Sequence, residues 1–160
     1  MTQSNSSKLN ITTPSDLEIQ MTHTFNAPRE LVFRAFTEAD LIERWWGPRR
    51  YTTKVDKLEL HPGGKWRFLN IGQDGEFAFR GEFREIVPPE KVVWTFEWEG
   101  LPGHVSVETM VLEERNGQTI VTATSLYDSK EDRDGMLNSG MEEGAAESYE
   151  RLEELLPTLK

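Results

Sequence analysis

Apolar and polar residues alternate along the first structured stretch of the chain. In Leu17-Glu18-Ile19-Gln20-Met21-Thr22-His23-Thr24-Phe25 the apolar residues fall on every second position with His23 among them, the period of a strand with one buried face. The period then changes. Asn26-Ala27-Pro28 offers a cap and a proline suited to a first helical turn, and Leu31, Val32, Ala35 and Phe36 follow at helical spacing. Thr37-Glu38-Ala39-Asp40 has the form of a capping box opening a second short helix through Leu41, Ile42 and Trp45, which Gly47-Pro48 should end. From Tyr51 to Tyr127 turn residues recur at His61-Pro62-Gly63-Gly64, Asp74-Gly75, Pro88-Pro89, Gly100-Leu101-Pro102-Gly103 and Asn116-Gly117. They predict strands near 51–60, 64–72, 77–87, 91–98, 105–114 and 119–127. The Asp74-Gly75 and Asn116-Gly117 pairs make their neighbours antiparallel. Ser129-Lys130-Glu131-Asp132 reads as a second capping box, and the absence of proline until Pro157 predicts one long helix to Leu156.

An antiparallel sheet with one apolar face needs a cover, and the C-terminal helix is the only long element able to supply it. The expected class is therefore α+β: a curved antiparallel sheet of about six to seven strands, two short helices after the first strand, and a long helix across the sheet. At 160 residues one core is the default, with residues 1–10 as a flexible polar tail and residues 11–160 as a single domain. There is no cysteine, and neither a signal-like apolar stretch nor a membrane-spanning run, so a cytoplasmic protein is expected. A net charge of -10 argues against nucleic acid as a partner.

Parity along the strands gathers aromatic rings on one face. Trp66 and Phe68 share a side, as do Phe77, Phe79, Gly81 and Phe83 on the next strand and Trp94, Phe96 and Trp98 on a third. On the long helix Leu137, Met141, Gly144, Ala145, Ser148, Leu152 and Leu155 fall on one side, with Glu142, Glu143, Glu147, Glu150, Glu153 and Glu154 opposite. The middle of the covering helix is small (Gly140, Gly144, Ala145, Ser148) where a packed core would place Leu or Ile. Each helical glycine costs about 1 kcal/mol relative to alanine, which leaves two explanations, close approach of the helix to bulky rings or space kept open beneath it.

If space remains, it is an apolar ligand cavity. The candidate ligand-binding residues are His23, Trp46, Trp66, Phe68, Phe79, Phe83 and Trp94, joined by Phe96, Tyr127, Leu137, Gly140, Met141, Gly144 and Ser148. His23, Tyr127 and Ser148 are the polar groups that would orient a ligand, although His23 is better explained as a core histidine with one partner. The three histidines sit on separate elements with no paired spacing, so neither a metal nor another cofactor is expected. Nor does any nucleophile elbow or phosphate-cradling loop occur, and no catalytic residue is assigned. Glu85, Glu97 and Glu108 lie in strands and are expected to point outward, because burying an unpaired charge is costly. The facing of 105–114 stays open between Val105, Val107, Thr109 and Val111 on one side and Met110 and Leu112 on the other. Of Trp45 and Trp46, one should anchor the second helix and the other could stand at a cavity rim, where Arg44, Arg49 and Arg50 would attract an anionic ligand.

Phe25-Asn26-Ala27-Pro28-Arg29-Glu30-Leu31-Val32-Phe33, Trp45-Trp46-Gly47-Pro48, Pro62-Gly63-Gly64-Lys65-Trp66, Gly81 to Glu90 and Gly140-Met141-Glu142-Glu143-Gly144 together resemble a known family. They are similar to bacterial homologues of the C-terminal domain of the Hsp90 ATPase activator, within the START-like (Bet v 1-like) superfamily. The resemblance spans about residues 16–156 and implies a helix-grip fold enclosing a hydrophobic cavity. It further implies a small hydrophobic partner, aromatic or lipid-like, such as a polyketide, flavonoid or hormone. Catalysis of cyclisation or hydrolysis is the minority role in that superfamily, and binding is favoured here. Hsp90 activation is discounted because the chain lacks the eukaryotic activator's other domain. A protein-interaction module using the acidic helix face is a third reading, and it predicts a filled core.

Overall fold

A computed structural model describes residues 9–159. Eight strands form one antiparallel sheet: β1 (Asn10–Thr12), β2 (Glu18–Phe25), β3 (Thr52–Leu58), β4 (Lys65–Gly72), β5 (Gly75–Val87), β6 (Lys91–Trp98), β7 (Ser106–Arg115) and β8 (Gln118–Leu126). Their spatial order is β1-β2-β8-β7-β6-β5-β4-β3. All connections within β3–β8 are hairpins, while α1 (Arg29–Thr37) and α2 (Ala39–Trp45) carry the chain from β2, on one side of the sheet, to β3 at the far edge. Register shifts at Val55/Lys57 and Phe83/Glu85 are bulges, which bend a sheet and increase its twist. α3 (Lys130–Leu137) and α4 (Met141–Leu155) follow β8.

The turn chemistry explains the hairpins. Asn116 and Gly117 both take positive φ, 54° and 80°, between the paired residues Arg115 and Gln118. At the other expected tight turn Gly75 already pairs with Gly72, so the two turn residues are Gln73 and Asp74. Ser129 Oγ accepts from the Asp132 amide at 3.0 Å, the cap expected for α3. Thr37, in contrast, does not cap α2: its hydroxyl donates to the Phe33 carbonyl at 2.7 Å and belongs to the end of α1.

Two expectations are corrected. The long C-terminal helix is two helices, because Gly140 adopts φ 85°, outside the range a continuing helix allows, and becomes the residue before α4. The sheet has eight strands because Asn10–Thr12 pairs with β2, and Leu9 packs against the core. Residues 1–8 of the expected tail lie outside the described residues.

The core sits where α1, α2 and the C-terminal half of α4 meet the sheet. Phe25, Val32, Ala35, Ile42, Trp45 and Leu152 are each almost fully buried there. Trp45 Nε1 donates to the Ala35 carbonyl at 2.8 Å, which satisfies its one polar atom and fixes α2 on α1. Further along the sheet Trp66 stacks on Trp94 with centroids 4.1 Å apart and donates to the Thr95 carbonyl at 3.1 Å. Gly81 is opposite Trp66 in register, and a Cβ there would collide with the Trp66 indole and the Thr95 carbonyl, so this stack requires glycine.

Candidate functional site

Beneath α3 and the N-terminal half of α4 the sheet is not covered by packed side chains. A cavity of about 930 Å³ lies between them. Small residues on the helices create it. Gly144 faces the cavity, and a Cβ added there would touch only Pro48 at 3.7 Å, an ordinary contact, while Gly135 and Gly140 have nothing within 4 Å. The two explanations left open for the helical glycines are thereby decided in favour of open space.

Aromatic rings from β4, β5 and β6 form the floor. Phe68, Phe79, Trp94 and Phe96 line the cavity and pack against one another, and Trp46 closes one side with ring centroids 5.1 Å from Phe68 and 5.4 Å from Phe79. The loop carrying Trp46 is held firmly. The Gly47 amide donates to Ser148 Oγ at 2.9 Å, the Arg151 guanidinium donates to the Gly47 carbonyl at 2.8 Å, and Thr53 Oγ1 donates to the Trp46 carbonyl. Arg49 is bound by both carboxylate oxygens of Glu154, at 3.1 and 2.7 Å. The acidic face of α4 is thus partly a clamp on residues 46–51, and Arg49 is engaged there instead of offering a free charge to an anion.

Ten of the fourteen sequence-derived candidates line the cavity: Trp46, Phe68, Phe79, Trp94, Phe96, Tyr127, Gly140, Met141, Gly144 and Ser148. Four stand elsewhere. Trp66 and Phe83 are buried in the packed layer beside the cavity, Leu137 falls on another side of α3, and His23 lies under the C-terminal half of α4. There the His23 ring packs on Phe25 and Tyr149, and its Nε2 is 3.2 Å from Glu153, a residue expected to face solvent. The core role is therefore the right one for His23. Strand parity explains the shared face of His23 and Ile19 but not how far along the sheet the helix leaves it open.

Glu108 is the residue that sequence reasoning placed wrongly. β7 turns Ser106, Glu108, Met110 and Leu112 inward, which settles the parity left open. Glu85 and Glu97 do point outward, onto Lys91 and Arg80, but Glu108 enters the cavity. What surface it exposes is to the cavity. Trp94 Nε1 donates to one carboxylate oxygen at 2.8 Å and Ser125 Oγ to the other at 3.2 Å. Burial pushes the Glu108 carboxyl above the usual range, and the two donors only partly offset it. The nearby Tyr127 hydroxyl is pushed up to about 12, first by burial and then by the Glu108 charge. A signal for this existed in the sequence: Trp94 sits directly across from Glu108 in register, and a cavity-facing indole needs an acceptor.

Among the described residues no group of three potential metal ligands is gathered, and no helix is long and apolar enough to cross a membrane.

Comparison with known proteins agrees with this architecture. Among curated proteins none matches the chain. Protein Ms6760 from Mycobacterium smegmatis superposes with a TM-score of 0.86 at 23% identity, over 96% of this chain and 99% of the other. A protein from Arthrobacter aurescens gives 0.85 at 25% identity, over 97% and 94%, and an AHSA1 protein from Silicibacter pomeroyi gives 0.71 at 20% identity, over 88% and 98%. The sequence profile described as Activator of Hsp90 ATPase homolog 1-like protein matches residues 26–157, all but the first strands and the final residues of the fold. The chain therefore belongs to the family of Activator of Hsp90 ATPase homolog 1-like proteins.

Proposed function

We propose that this protein binds a small hydrophobic molecule between its sheet and the α3–α4 cover. The observation that carries the reading is the 930 Å³ cavity, walled by aromatic rings and kept open by Gly144. That volume lies within the range of small-molecule sites. Among its polar groups, Glu108, Ser125, Tyr127 and Asn70 would set orientation while apolar burial supplies affinity. Transfer of about 300 Å² of apolar ligand surface from water is worth roughly 7 kcal/mol before the costs of association. The cavity also weighs against a pure interaction module, which required a filled core.

A second reading, acid–base catalysis on the bound molecule, is favoured by one observation, a carboxyl of raised pKa beside a tyrosine in the same space. Loss of turnover in Glu108→Gln with binding retained would identify it.

The test of the binding reading is a thermal-shift screen of apolar and aromatic compounds against the wild type and Gly144→Leu. Compounds should raise the Tm of Gly144→Leu by clearly less than that of the wild type, because a leucine side chain at 144 projects into the cavity and takes up part of its space. Equal shifts in both proteins would place binding elsewhere.

A further inference from the structure

The cavity has a sign. Its lining contains the carboxylates of Glu108, Glu131 and Asp132, one histidine, His104, already hydrogen-bonded to Asp132 at 2.9 Å, and, among the described residues, no lysine or arginine. Glu108 is the deepest of the three, and both of its protein partners, Trp94 and Ser125, are neutral donors. A carboxylate removed from water normally has a cationic partner or gives up its charge, since neutral donors replace only part of its hydration. Here no side chain supplies the cation. Arg49 of the adjoining loop is engaged by Glu154, Arg50 beside it lies over the Tyr51 ring with its guanidinium carbon 4.8 Å from the centroid, and Arg151 of α4 donates to backbone carbonyls of residues 44, 47 and 48.

The same wall is rich in rings. Trp94 is paired with Glu108 across the strands, Phe96 lies two residues further on the same strand, and Tyr127 lies beside Ser125. A carboxylate set among aromatic side chains is a combination that favours an organic ammonium group, through charge pairing and through attraction of the cation to ring quadrupoles. We propose, resting on the binding function above, that the ligand is a hydrophobic amine whose ammonium group pairs with Glu108 while its apolar body fills the aromatic cavity. Burial raises the Glu108 pKa, in keeping with a carboxyl whose side-chain partners are both neutral. The rim points the same way, because Glu131 and Asp132 at the start of α3 and the overall charge of -10 attract cations and repel carboxylates or phosphates.

Three probes that share one aromatic body separate this from plain apolar binding: naphthylmethylamine, its neutral isostere ethylnaphthalene, and naphthylacetate. Each is titrated by NMR into the wild type and into Glu108→Gln, whose amide oxygen can still accept from Trp94. The expected order of affinity in the wild type is ammonium, then neutral, then carboxylate, with at least about a tenfold gap between the first two. In Glu108→Gln the gap should close while the neutral probe keeps its affinity. Cavity-mapped binding with the neutral or anionic probe equal to or tighter than the ammonium overturns the inference and leaves apolar ligand binding intact. Absence of saturable shifts from the cavity with every probe overturns both. The wild-type ranking decides the matter even if Glu108→Gln fails to fold.

Discussion

The two halves of α4 cover the same sheet and do opposite things to it. The C-terminal half presents Leu152 and Leu155, which are buried in the core with the first two helices, and Tyr149, which packs on Phe25 and Trp45 and forms the boundary with the cavity. The N-terminal half presents Gly144, Ala145 and Ser148 to equally large rings and leaves a cavity. Large rings lie beneath both halves, and the difference is made by small side chains on α4 over the cavity and by large ones packed with α1 and α2 beyond it. One half of the helix supplies stability, and the other gives up packing for space.

This contrast can be broken at both ends. The largest effect belongs to the filled half, where Leu152→Ala should cost about 2–5 kcal/mol by denaturant unfolding, since Leu152 is wholly buried and its neighbours cannot collapse into the space. At the junction of the halves, Ser148→Ala should cost about 1–3 kcal/mol, because the buried Gly47 amide loses its acceptor. The same substitution should loosen residues 46–48, seen as faster amide exchange at Gly47. In the open half the sign reverses: Gly144→Ala should stabilise by about 1 kcal/mol, gaining helix propensity with only a Pro48 contact in the way.

The smallest effect at any one pH is expected at Glu108, which keeps two donors that offset part of its burial. Its shape is more telling than its size. The folded-state pKa lies above the unfolded one, so the folded protein holds a proton that the unfolded chain releases over the interval between them. Stability contributed by this group is full below the unfolded value and is lost as pH rises through the folded value. Glu108→Gln should therefore match the wild type in acid and become the more stable protein at neutral pH, a gap readable from unfolding midpoints across a pH series. A gap that opened toward acid instead would mean that Glu108 is stabilised as the anion.

Much of this contrast was legible in the sequence. Strand parity assigned the inward faces of β4, β5 and β6 correctly, and Gly140, Gly144 and Ser148 marked the small stretch of the helix without deciding between close approach and open space. The Asn116-Gly117 turn and the Ser129 cap were legible because each depends on a few neighbouring residues. What escaped depended on contacts distant in the chain. Helical periodicity runs straight through Asn138 and Ser139, so it could not reveal that Gly140 turns left-handed and splits the helix. Parity placed His23 inward without showing which half of the helix covers it. Charge argued Glu108 outward, and only the Trp94 and Ser125 donors brought to it by β6 and β8 make an inward carboxylate tolerable. Arg49 looked available for an anion because its partners on α4, Glu150 and Glu154, are about a hundred residues away.

The most direct test of the account is NMR chemical-shift mapping of the labelled wild-type protein with a library of small hydrophobic molecules that includes amines. Saturable shifts are expected at Trp46, Phe79, Phe96, Met141 and Gly144, with Leu152 and Leu155 unmoved. Saturable shifts at the filled half, or none at the open half, would contradict it.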